Sequence, residues 1–257
     1  MAHLGDFRII PVVQTLDESA IKTCQFQATS YVGCPINTVR ILSDFCADEI
    51  ILLDLGASAG SYPVNYGFVE AVVSEALVPI AYGGGIRDFL MANRLFELGI
   101  ERVVLGWRGI QTSELINEIA RHWGSQAISV SLDIAESPIL VRKLDRLRSE
   151  AVFSRSSISD NIRLIQTAGC GEVILQSIDR DGRRCGFSHQ LITEALDDCN
   201  IQLVALGGCK GIADMADAIK AGASAVASGS QFVFHEDYKS VLVNYPTLDD
   251  RQSILIS

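Results

Sequence analysis

Four aspartates stand where apolar runs end: Asp54 in "ILLDL", Asp133 in "SLDIA", and Asp179 and Asp181 in "ILQSIDRDG". A carboxylate at the end of a buried strand is partly desolvated. Its proton affinity can therefore be tuned toward neutral pH. Two such groups on opposite sides of one cavity supply a general acid and a general base. For Asp54 and Asp179, capping of the next helix or a salt bridge in the rim is an equally good reading. For Asp133 and Asp181 function is the better reading, because a half-barrel symmetry is expected to place them on roughly opposite sides of one mouth.

Glycines mark a second kind of chemistry. Gly84-Gly85 and Gly207-Gly208 each follow an apolar run and precede a helix-length segment, and Gly106 and Gly229-Ser230 end the next runs. Without a side chain, the backbone lets its N–H groups approach an anion, and the following helix terminus adds partial positive charge. Two consecutive turns of this kind can share one phosphate. The pattern predicts such a site around Gly207, Gly208, Gly229 and Ser230. The first-half counterpart at Gly84 and Gly85 is compromised, because its second turn reads "GWRG" and Trp107 is bulky.

These residues need elements to hold them. Eight short β-branched runs recur: 7–13, 49–55, 78–82, 102–106, 127–133, 172–178, 201–206 and 225–229. Their apolar residues are mostly continuous, as in parallel strands buried on both faces. Helix-length segments lie between them. Segment 87–99 puts Met91, Leu95 and Leu98 on one face and stops at Gly99; segment 211–223 does the same with Met215, Ile219 and Gly222. "EIILLDLGAS" overlies "EVILQSIDRD", and "YGGGIRDFLMANRLFELGIERVVLG" overlies "ALGGCKGIADMADAIKAGASAVASG", at one offset of 123 residues. The expectation is a (β/α)8 TIM barrel made of two (βα)4 half-barrels, with residues 1–257 as one domain. A doubly wound open sheet is the rival. Long connections at 14–33 and 134–158 follow strand ends, where barrel enzymes carry their sites, and "PILVRKL" predicts a small hairpin in the second.

Composition narrows the classes. The chain is 48% hydrophobic and 20% charged, with a net charge of −10. That balance argues against a nucleic-acid binder, which needs a basic face, while a local anion site stays compatible with it. Seven cysteines without CxxC spacing and four histidines argue against a metal site and for a reducing compartment. No signal sequence and no long apolar span is expected, so the reading is a cytoplasmic chain away from membranes, with no cofactor.

Taken together, "RIIP", Lys22, "YGGGIRD", "SLD", "SIDRDG", "LGG" and "SGSQFVF" resemble the cyclase subunit of imidazole glycerol phosphate synthase, along essentially the whole chain. In that family a glutaminase subunit, bound as a heterodimer, feeds ammonia to the barrel, which cleaves and cyclises a bis-phosphorylated substrate. The resemblance implies a catalytic role for Asp181, a supporting role for Asp133, and substrate or loop contacts for Lys22. It also implies an ammonia gate at the barrel floor, formed by Arg8, Glu49, Arg102 and Glu172. A plain layer of paired charges would look the same in sequence. One departure stands out. The family ends its first strand with aspartate in "CLD"; here the strand reads "PVVQ", with Gln14 in that place. An amide hydrogen-bonds but does not exchange protons, so the acid–base pair is incomplete.

The segments "YVGCPINTVRIL" and "YKSVLVNYPTLDDRQSILI" resemble a branch of the family associated with surface-polysaccharide synthesis. That likeness implies a barrel that receives or channels ammonia for acetamidino-sugar formation, alongside a glutaminase and a sugar amidotransferase. The other readings are an authentic histidine-pathway cyclase, a binding scaffold without chemistry, and the related single-chain sugar isomerase of that pathway.

Overall fold

The computed structural model describes residues 7–106, 111, 113–137, 153–235 and 240–256. Eight parallel strands form the barrel: β1 (Arg8–Leu16), β4 (Ile50–Asp54), β5 (Ile80–Gly83), β6 (Arg102–Leu105), β7 (Ile128–Ala135), β9 (Glu172–Ser177), β10 (Gln202–Leu206) and β11 (Ala225–Ser228). The sheet closes where β11 pairs in parallel with β1, Arg8 opposite Ala225 and Pro11 opposite Ser228. All eight apolar runs become strands, and the open-sheet alternative is excluded by that closure.

The half-barrel repeat holds in detail. Helix α1 (Pro35–Asp44) corresponds to α6 (Ile158–Thr167), and α4 (Phe89–Glu97) to α8 (Ile212–Lys220), each at the offset of 123. Both α4 and α8 stop at a left-handed glycine whose N–H bonds back to the last turn, Gly99 to Phe96 O and Gly222 to Ile219 O. The buried faces differ somewhat from expectation. Helix α4 buries Ala92, Leu95 and Phe96, while Met91 and Leu98 sit at the margin. The cause is the start of the helix: Asp88 caps it by accepting from Met91 N at 2.8 Å, which fixes its rotation.

Alternation along each strand sorts side chains into two cores. Ile9 and Val13 of β1 face the helices, while Ile10 and Val12 face the barrel axis with Ile51, Ala81, Val104, Ile174, Val204, Ala225 and Ala227. Both faces are apolar, which is why the strands read as continuous runs.

The connection at 14–33 forms more sheet. Strand β1 continues into β2 (Ser19–Cys24) and β3 (Gln27–Gly33), both antiparallel. Two-residue turns join them, Asp17-Glu18 with φ 47° and 57°, and Gln25-Phe26 with φ 50° and 58°. A two-residue hairpin turn of this kind needs positive φ at both central positions and normally recruits Asn-Gly. Here neither turn has a glycine, so the sequence carries no hairpin signal. The "PILVRKL" hairpin and the "GWRG" turn lie outside the described residues. Among the described residues, no helix is long and apolar enough to cross a membrane.

The chain end returns to the barrel floor. Helix α9 (Leu248–Ile256) buries Ile254. Just before it, the Tyr245 hydroxyl donates to Ile9 O at 2.8 Å and accepts from Asp48 N at 3.2 Å. Asp48 in turn accepts from Ile9 N at 2.8 Å and pairs with Arg251 at 2.7 Å. This cluster fixes the backbone beside Arg8. Tyr245→Phe strips partners from buried backbone groups and is expected to lose ~1–3 kcal/mol of stability. A urea titration checks it, as a lower midpoint at unchanged slope.

Candidate functional site

The C-terminal ends of β1, β9, β10 and β11 surround one cavity, lined by Gln14, Lys22, Gln176, Asp181, Gly182, Arg184, Gly207, Gly208, Gly229 and Ser230 among others. Its free space is about 20 Å3, room for roughly one water-sized group. The mouth is closed by the β2–β3 hairpin, which bends over it and is pinned to Asp181.

Asp181 holds the hairpin through both its side chain and its backbone. Its Oδ2 accepts from Thr23 Oγ1 at 3.0 Å and from Phe26 N at 3.3 Å, and its carbonyl accepts from Gln25 N at 3.0 Å. The contacts at Gln25 and Phe26 fall on the strained turn, so Asp181 helps hold a backbone conformation that costs free energy. Burial raises the Asp181 pKa above the ordinary value. The Lys22 charge and the hydrogen bonds from Phe26 and Thr23 oppose that rise without cancelling it. Such a carboxyl is poised to carry or release a proton.

Gln14 sits on the other side of Thr23. Its Oε1 accepts from Thr23 N at 3.2 Å and its Nε2 donates to Thr23 Oγ1 at 3.3 Å. A carboxylate at position 14 would have no N–H to give. The amide therefore completes a Gln14–Thr23–Asp181 bridge in which Thr23 is the central link. Thr23 was not legible as a site residue, because its role depends on the hairpin fold.

Lys22 enters the cavity from β2 and is fully buried; its Nζ rests against Gly229, where any Cβ would overlap it. A side chain at 229 would require the Lys22 ammonium to move away. Burial pulls the Lys22 pKa from 10.5 to about 8, with the Asp181 charge pushing back. Gly207 and Gly208 adopt φ of 95° and 101°. A Cβ at Gly207 would stand 2.5 Å from Ser177 O, and one at Gly208 would strike Gly186 O. The turn of β10 can therefore run close against the β9 loop only without side chains. The Gly186 N–H, donating to Gly208 O at 2.8 Å, ties the two together. Helix α8, which follows, has no side-chain cap.

The other expected residues lie apart from this cavity. Asp133 lies near the end of β7, its Oδ1 accepting from Ser131 Oγ at 2.8 Å. Strand β7 pairs directly with β9, Asp133 opposite Gln176, so Asp133 stands on the strand next to the Asp181 turn and not across the mouth from it as expected. Asp54 caps the short helix α2 (Leu55–Ala59), accepting from Ala57 N at 3.0 Å and from Tyr62 OH at 2.9 Å. Gly84 and Gly85 pack on that same turn, where Cβ atoms would stand 2.7 Å from Asp54 O and Ala57 O respectively. This packing keeps both positions free of side chains, as backbone packing does at Gly207 and Gly208. Asp179 accepts from Glu136 N at 2.6 Å and Ser137 N at 3.2 Å, joining the ends of β7 and β9. Of the four strand-end aspartates, only Asp181 lines the cavity.

At the opposite end of the barrel, Arg8, Glu49, Arg102 and Glu172 form a closed ring. Arg8 bonds both glutamates, and Arg102 Nη1 lies 2.7 Å from Glu172 and 3.3 Å from Glu49. Ser129 Oγ donates to Glu172 at 2.6 Å, and Arg8 Nη2 donates to Gln202 Oε1 at 2.9 Å. Burial lowers the Arg8 pKa, but Glu172 and Glu49 outweigh it and raise the net value; burial raises that of Glu49. Between ring and mouth the axis is lined mainly by apolar side chains, small at Ala81, Ala225 and Ala227, with the Ser131 hydroxyl of β7 among them. Among the described residues, no group of three or more His, Cys, Asp or Glu is placed to hold a metal ion.

The histidine biosynthesis protein family matches residues 8–239, nearly the whole barrel. The chain belongs to that family. It is similar to a Leptospira borgpetersenii protein provisionally named imidazole glycerol phosphate synthase subunit HisF, at 33% identity over 96% of this chain and 98% of the relative. A Pseudomonas aeruginosa relative, provisionally named subunit hisF2, is 36% identical over 94% of this chain and 96% of its own length. The subunit HisF of Dictyoglomus turgidum is 32% identical over 88% and 90%. The family resemblance read from the motifs is thus established, and the HisF-like barrel accounts for the position of cavity and ring at opposite ends.

The buried lysine makes a pH test. Between about 8 and 10.5 the unfolded chain keeps the Lys22 proton and the folded chain does not. Stability contributed at this site therefore rises as pH climbs through that window. Lys22→Met is expected to abolish the rise, measured as the difference in urea midpoint between wild type and variant at each pH.

Proposed function

We propose that this HisF-like barrel is the ammonia-receiving subunit of a glutamine-dependent amidotransferase, working with a glutaminase at the charged floor and serving acetamidino-sugar synthesis. The observation that carries it is the combination at the two ends of β1. Arg8 keeps the four-charge ring intact, while Gln14, six residues on, spends its amide on holding the hairpin. Ammonia crossing the barrel needs a gated entry and an apolar path that does not protonate it. The ring and the Ala81, Ala225 and Ala227 lining supply both. Ring closure by acid–base exchange needs a second proton carrier opposite Asp181, which an amide does not provide. A glycine-framed phosphate site around Gly207, Gly208, Gly229 and Ser230, with Lys22 beside it, is part of the same proposal.

The experiment is co-expression with candidate glutaminases, followed by assays with glutamine or with free ammonia. A stable complex with glutamine-dependent product is expected. Arg8→Ala leaves two buried glutamates short of a partner and is expected to uncouple glutamine hydrolysis from product while ammonia-dependent product persists. Arg102→Lys keeps the charge and guards against a folding artefact. A barrel that binds no glutaminase overturns the proposal.

The second reading, an authentic cyclase, is favoured by the raised proton affinity of Asp181. It predicts ammonia-dependent turnover of the phosphoribosyl substrate by wild type, reduced ~10²–10⁴-fold in Asp181→Asn. On the ammonia-transfer reading that substrate is not turned over, and Gln14→Asp is the variant expected to gain activity on it.

A further inference from the structure

The turn after β9 reads "DRDGRRCGF" and carries three guanidinium groups. Two of them staple the loop to itself. Arg180 Nη1 donates to Cys185 O at 3.3 Å and Gly186 O at 3.1 Å, and Arg183 Nη1 donates to Asp179 O at 3.5 Å. The third behaves differently. Arg184 lines the cavity together with Lys22, Asp181, Gly207, Gly208 and Gly229. Its Nη2 reaches Lys210 O at 3.3 Å and Gln231 Oε1 at 3.4 Å, which places the guanidinium just beyond both glycine turns.

Its backbone is also unusual. Arg184 has φ 50°, the left-handed region that disfavours a side chain with a Cβ. Gly182 and Gly186 flank it in the same loop with φ 70° and 85°. A residue kept at such a geometry, beside glycines that would suit it better, marks a side chain whose direction matters.

We propose that Arg184 is the second cation of the cradle formed by Gly207, Gly208, Gly229 and Ser230, and that with Lys22 it selects a doubly charged phosphate monoester over singly charged anions. This rests on the phosphate-site reading above and adds Arg184 as the residue that sets its selectivity. Lys22 arrives from the hairpin and Arg184 from the β9 loop, so the two cations approach the cradle from separate elements. Asp181 offsets one positive charge, which leaves the pair one unit in excess. On a chain of net charge −10, that local excess is what makes an anion welcome there. The guanidinium fork also matches two phosphate oxygens at once, as an ammonium does not.

The test is calorimetric titration of the full chain with glycerol phosphate, a dianionic monoester, and with dimethyl phosphate, a singly charged diester. Wild type is expected to bind the first and to prefer it clearly over the second. Arg184→Met is expected to weaken glycerol phosphate binding by about 10- to 100-fold and to remove the preference. Arg184→Gly suits the left-handed backbone, keeps the loop, and is expected to show the same loss. If either variant binds glycerol phosphate as wild type does, the inference is overturned while the cradle reading stands. If wild type binds neither compound, or binds undiminished when Gly229→Val fills the cradle, the phosphate-site reading fails and the inference with it.

Discussion

A parallel sheet closed on itself has an interior with only two openings, and polar groups placed inside it must be satisfied at one or the other. Everything functional here follows from that constraint. Along β1 the inward positions run Arg8, Ile10, Val12 and Gln14, a charge at one opening, apolar side chains between, and an amide at the other. Strand β9 repeats the sequence with Glu172, Ile174 and Gln176. The floor charges are deeply buried, with only 3% to 6% of the glutamate side chains exposed. A buried pair gains little net stability over an apolar substitute, yet removing one member costs ~3–5 kcal/mol. Stability alone is thus a poor explanation of the ring.

The mouth is arranged by competition for Asp181. A carboxylate there with no hairpin above it would be solvated and ionised. Folding β2 and β3 over it removes water, raises its proton affinity and turns its oxygens toward Thr23 and Phe26. Gln14 takes the opposite side of Thr23, so the hairpin is gripped from two strands. The closed mouth holds about one water-sized group. A ligand larger than that requires the cavity to widen, and Lys22 against Gly229 is among the groups that border it.

The barrel was legible because strands buried on both faces leave continuous apolar runs, and because duplication writes the same runs twice. The cradle glycines were legible for a related reason: backbone close to backbone admits no other residue, as at Gly207 against Ser177 O. Asp181 stood out by position. Three things were hidden. The hairpin lacks glycine in both turns, so its local chemistry points nowhere. Thr23 matters only through partners 9 and 158 residues away. The ring unites residues from four separate segments, and only family resemblance joined them in advance.

The glycine pairs show why one motif can have two meanings. Gly84-Gly85 and Gly207-Gly208 occupy equivalent places in the two halves, and both are kept free of side chains by a neighbouring backbone. In the first half the neighbour is the α2 turn. Asp54 already takes the free Ala57 N–H there, so the terminus is occupied by the chain's own carboxylate. In the second half the equivalent of Asp54 is Ser177, whose hydroxyl turns away to Glu136 at 2.8 Å. The carboxylate that takes the first-half turn has no counterpart at Ser177, and the second-half cavity is lined by Lys22, Arg184 and Asp181. Duplication supplied two related turns, and the residue at the end of the preceding strand, Asp54 in one half and Ser177 in the other, decides whether a carboxylate of the chain itself occupies the turn.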